Sequence, residues 1–143
     1  MSERLPVGLC RRRLAIVWFA GSALALALFL AQTMGGKYGD ETAKAWGWFI
    51  PTVLPTLSLI IGVVTAQALQ PDDPTVTVSS LSYRLSLWLS IVYLILVIAT
   101  PLMEPIVQPE NPLDFFNLTT VWLSPVQGLA GIALGAFFVS KKS

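Results

Sequence analysis

The chain reads as an all-α integral membrane protein, a four-helix bundle with N-in/C-in topology and little structure outside the bilayer. Three observations predict this. Four apolar stretches, 14–34, 46–69, 85–103 and 118–140, contain no Asp, Glu, Lys, Arg or His. Each has about the 17 to 25 residues with which an α-helix crosses roughly 30 Å of hydrocarbon, where an open backbone finds no hydrogen-bond partners. The composition agrees: 55% of the 143 residues are hydrophobic and 12% charged, with a mean hydropathy of +0.70. That is a membrane composition in a single membrane domain, and the connecting pieces are too short to bury a core of their own.

The third observation is charge placement. Arg4, Arg11, Arg12, Arg13, Arg84, Lys141 and Lys142 fall on one side of such a bundle and only Lys37 and Lys44 on the other, which puts both termini in the cytoplasm. With the acids included, the inner side carries +4 and the outer side −3. The bacterial inner (plasma) membrane is the expected location.

The first span follows Arg11, Arg12 and Arg13 and is longer than the apolar core of a cleaved signal peptide, so it reads as an uncleaved helix. It is the most uniformly apolar of the four and is expected to face lipid. The second carries Pro51 and Pro55, with Thr52 and Thr56 nearby to satisfy carbonyls that the prolines release, and a small-residue series Ser58, Gly62, Ala66. The third carries Ser82, Ser86, Ser90, Tyr93 and Thr100 on one broad face that should meet protein or water. Pro101, Pro105, Pro109 and Pro112 follow it and predict an extended, polyproline-like outer loop. The fourth span aligns Thr120, Ser124, Gln127, Gly128, Gly131 and Gly135 on one face, within which Gly131 and Gly135 form a GxxxG. That face is either a packing seam inside one bundle or a seam or pore wall between copies.

Arg84, at the inner start of the third span, reads as an interfacial anchor whose stem lies along the helix, or as a partner for Asp72 or Asp73. Trp46, Trp48, Phe49, Phe115, Phe116 and Trp122 are placed near the outer interface; Trp18, Tyr83, Trp88, Phe137 and Phe138 near the inner one. With no His and only Cys10, imidazole haem ligation, structural zinc and paired-cysteine redox chemistry lack their residues, and no cofactor or metal is expected. Acids and bases are scattered over the loops, which argues against catalysis. No basic stripe with interleaved aromatics points to nucleic acid. Ion-coupled transport lacks an ionisable group in any span.

Three functions survive. In the first, copies of the chain form a homo-oligomeric channel or membrane-perturbing pore, its wall or packing face supplied by Thr120, Ser124, Gln127, Gly128, Gly131, Gly135, Ser86, Ser90 and Tyr93. Glu104, Glu110 and Asp114 would then form an acidic outer mouth. In the second, the chain is a non-catalytic anchor or regulatory subunit for a soluble or membrane partner. In the third, it is an uncoupled carrier of a small solute or lipid, with its pocket between the kinked second and fourth helices.

Overall fold

The computed structural model describes residues 3–69, 75–107 and 110–139. Four helices of 28 residues dominate it: α1 (Val7–Met34), α2 (Thr42–Leu69), α3 (Ser80–Val107) and α4 (Pro112–Val139). All four are long and apolar enough to cross a membrane. At 1.5 Å per residue each spans about 42 Å, so the charged residues at their ends can lie beyond the hydrocarbon without ending the helix. For that reason the helices begin before the uncharged runs do, α1 at Val7 and α3 at Ser80, and α3 continues to Val107.

One consequence is a correction. Pro101 and Pro105 lie inside α3 and Pro112 opens α4, so these prolines do not form an extended outer loop; Pro109 lies outside the described residues. A proline is tolerated inside a helix where another group takes the carbonyl it releases, and such a group is present. At the opposite end of the bundle, β1 (Arg4–Pro6) pairs antiparallel with β2 (Thr77–Ser79), with Arg4 opposite Ser79. The ribbon continues through Val7 N–H to Val76 O at 3.2 Å and Ser80 N–H to Glu3 O at 3.0 Å. It fastens the start of α1 to the start of α3, a tie that the hydropathy pattern does not signal.

Helix α3 packs between α4 and α1, and α2 also packs between those two, with α1 against α2 the thinnest seam. The interior is filled. Trp18, Phe29, Tyr93, Phe116, Ile60 and Leu134 are fully buried. Trp18 Nε1 donates to Ser90 Oγ at 2.9 Å, and Ser90 Oγ donates to Ser86 O at 2.7 Å, so the α3 hydroxyls serve the bundle interior. The Tyr93 hydroxyl crosses the bundle to donate to Thr52 O.

One expectation about faces is overturned. Helix α1 does not present itself mainly to lipid: Cys10, Leu14, Ala15, Trp18, Ala25 and Phe29 are core residues. A helix apolar all round carries no periodicity from which its inner face can be read. Gly21 supplies the contact, since a Cβ there would lie 2.6 Å from Leu94 Cδ1 of α3. The sequence leaves the GxxxG face open to either a seam inside the bundle or one between copies, and a Cβ added at Gly62, Gly128, Gly131 or Gly135 meets nothing within 4 Å among the described residues. The inward residues of α4 are Leu113, Phe116, Thr119, Leu123, Ala130 and Leu134.

Candidate functional site

A proline has no N–H, so the carbonyl four residues before it loses its helical donor. In α2, Pro55 releases the carbonyl of Pro51; in α3, Pro105 releases that of Pro101. Both are taken by a glutamine from a neighbouring helix. Gln127 Nε2 of α4 lies 3.1 Å from Pro51 O and 3.2 Å from Thr52 O. Gln32 Nε2 of α1 donates to Pro101 O at 3.2 Å. A released carbonyl in a low-dielectric interior is costly to leave unmade, so each amide answers a specific debt of the backbone.

The surroundings of the two carbonyls differ. Pro101 O also accepts from Lys37 Nζ at 3.0 Å, and Lys37 pairs with Glu104 at 2.8 Å. Glu104 is buried, only 7% exposed. Tyr38 Oη donates to Gln32 Oε1 at 2.7 Å. Burial, and then the Glu104 carboxylate, push the Tyr38 phenol above its ordinary value, so it keeps the proton that it donates. Around it Phe29 stacks on Phe49 at 4.7 Å and on Tyr38 at 5.0 Å, and Trp48 stacks on Phe116 at 4.7 Å. The Pro101 carbonyl is thus enclosed by an ion pair and an aromatic cluster, and aromatics expected at the interface lie within that cluster.

The Pro51 carbonyl instead adjoins an open groove of about 470 Å³ between α2 and α4. Thr120, Ser124 and Gln127 line it from α4, together with Asn117 and Leu113. Gly47, Trp48, Pro51 and Thr52 line it from α2, with Lys44 at its end. Gly47 has no side chain to close the groove, and its own carbonyl is the one Pro51 deprives of a donor. Thr120 Oγ1 donates to Phe116 O at 3.2 Å, so that hydroxyl is already engaged. Two further depressions are present: an apolar one of about 420 Å³ between α1 and α2, lined by Phe19, Leu26, Phe49 and Leu57 among others, and one of about 260 Å³ beside Ser82, Ser86 and Ala133.

The residues grouped from the sequence as one wall are therefore divided by the fold. Thr120, Ser124 and Gln127 meet at the groove, and the exposed Gly128 follows them on α4, with Gly131 and Gly135 partly exposed beyond it. Ser86 and Ser90 are buried and bonded elsewhere in the bundle, and the buried Tyr93 meets Gln127 at the Thr52 carbonyl, to which both donate. Glu104 is separated from Glu110 and Asp114: it is enclosed with Lys37, while the other two are exposed. Arg84 is exposed at the ribbon end, and Asp72 and Asp73, weighed as its partners, lie outside the described residues. Lys141 and Lys142 lie outside them too.

Sequence reasoning passed over Gln32, Lys37, Tyr38, Lys44 and Asn117. The signal available for the first was the repeated proline spacing, Pro51 to Pro55 and Pro101 to Pro105, in which each proline releases the carbonyl four residues before it and so asks for donors near Pro51 and Pro101. Among the described residues no cluster of three or more His, Cys, Asp or Glu is placed to hold a metal ion. No family profile, characterised protein or solved structure matches the chain.

Proposed function

We propose that the protein works in the membrane as an uncoupled carrier of an amphiphile or small solute, which it holds in the groove between α2 and α4. The observation that carries this reading is a polar recess on what would be the lipid-facing surface of a bundle whose interior is filled. Hydrocarbon cannot satisfy Asn117, Ser124 or the Gly47 carbonyl, so a molecule with polar groups is the natural occupant. The proposed mechanism is lateral. The occupant enters from the bilayer, polar atoms against α4 and apolar parts against lipid, and no ionisable group faces it in the depth of the groove to couple its movement to an ion gradient.

In reconstituted vesicles the protein is expected to transfer a fluorescent amphiphile between leaflets without steady current. Ser124→Trp, at an exposed position, should fill the groove and abolish transfer while leaving the melting temperature unchanged. Transfer that persists in that variant would contradict the reading.

A second reading is supported by the four outward glycines, Gly62, Gly128, Gly131 and Gly135, for which the bundle itself has no steric need. Each costs a helix about 1 kcal/mol relative to alanine, a cost that close packing between copies would offset. In that case α2 and α4 faces of several copies surround a pore lined by Thr120, Ser124 and Gln127. Imaging in nanodiscs separates the two: a symmetric ring with an axial opening and steady conductance favours the pore, an isolated bundle the carrier.

A further inference from the structure

We propose that the occupant of the α2–α4 groove is a phospholipid with a negatively charged headgroup, its phosphate held by Lys44 and Asn117. The inference rests on the carrier reading and adds the chemistry of the ligand. Three features carry it.

The first is charge. Among the described residues Lys44 is the one charged side chain lining the groove, and it sits at the end of the groove. Its only ion pair among the described residues is the loose surface contact to Glu41 at 3.5 Å, in which 72% of the lysine side chain stays exposed. Such a pair contributes little and is readily exchanged for a phosphate. Asp114 is nearby in sequence to Leu113 but does not line the groove.

The second is the donor that accompanies the charge. Asn117 of α4 is exposed and lines the same groove as Lys44. An ammonium and an amide together favour an acceptor-rich group, and a phosphodiester is the acceptor-rich group that a membrane supplies.

The third is location. The groove opens sideways from two membrane-spanning helices, and Lys44 stands near the first turn of α2, at headgroup depth for a helix of about 42 Å. A headgroup at Lys44 lets the acyl chains run down the exposed apolar surface of α4 at Val121.

Native mass spectrometry of the detergent-purified full chain tests this with phosphatidylglycerol, phosphatidylcholine and diacylglycerol as probes, and with soluble glycerol phosphate as competitor. Phosphatidylglycerol should be retained at least fivefold better than the other two lipids and should not be displaced by glycerol phosphate. Lys44→Gln should reduce that retention about fivefold, consistent with one lysine at a charged surface. Asn117→Leu, at an exposed position, should reduce it by a smaller factor. Arg84→Gln, the same charge change at the other end, should not. Equal retention of all three lipids, or an equal loss with Arg84→Gln, overturns the headgroup assignment but leaves the carrier reading standing. No retention of any lipid overturns both.

Discussion

The Pro101 and Pro51 carbonyls arise from one defect, a proline four residues downstream, and both are met by a glutamine amide. At Pro101 the site continues into a lysine, a buried glutamate, a tyrosine and a stack of aromatic rings. At Pro51 it continues into a groove with an exposed serine, asparagine and lysine. The same backbone chemistry thus fastens the bundle at one place and furnishes a binding surface at the other. Satisfying a released carbonyl is a structural need; leaving polar groups around it open is not, and that surplus is what points to function.

Breaking the sealed site should have the largest effect. Glu104→Ala leaves the Lys37 ammonium enclosed without its counter-ion and should cost about 3 kcal/mol, read as a lower midpoint of unfolding in detergent. Asp114→Ala or Glu110→Ala, at exposed positions, should stay within about 0.5 kcal/mol. Equal effects from the three would mean that Glu104 belongs with the other acids after all.

Glycines sharpen the comparison next. Gly21→Ala drives a methyl against Leu94 in a packed core and should cost about 1 to 2 kcal/mol. Gly131→Ala meets open space and should stabilise an isolated bundle by up to about 1 kcal/mol through helix propensity. If Gly131→Ala instead lowers stability in a concentration-dependent way, copies pack on that face.

The smallest effect addresses the carbonyls directly. Gln127→Leu should cost about 1 kcal/mol. In a Pro55→Ala background, where residue 55 again offers an N–H to the Pro51 carbonyl, the cost should fall by about half or more. The corresponding cycle of Gln32→Leu with Pro105→Ala should couple less, because Lys37 still donates to Pro101 O and Tyr38 still loses its acceptor.

Much of the architecture was legible. The four helices follow from runs without charge, and the alternation of loops places Lys37 and Glu104 at one end and Arg84 at the other. Helix limits were not, because a charge ends an apolar run without ending a helix, and Arg11, Lys44, Glu104 and Asp114 each sit within one. The inward face of α1 was illegible because Leu, Ala and Phe cover it on all sides. Gln127 was identifiable as an amide in need of a partner. Its partner was not, since Pro51 O is 76 residues away and only the pairing of helices brings it near. The hydroxyls of α3 and α4 look alike in sequence, yet Ser90 is used up by Trp18 and its own helix while Ser124 faces the groove. Composition cannot distinguish a hydroxyl that closes a core from one that awaits a ligand.

The central claim is that polar groups around Pro51 are open to a membrane ligand and those around Pro101 are not. Photo-crosslinking with a diazirine phospholipid in vesicles, followed by peptide mapping of the labelled chain, tests it most directly. The account predicts adducts concentrated on residues 44–52 and 117–127, with few on 32–38 and 101–104. Labelling spread evenly along all four helices, or concentrated on residues 32–38 and 101–104, would contradict it.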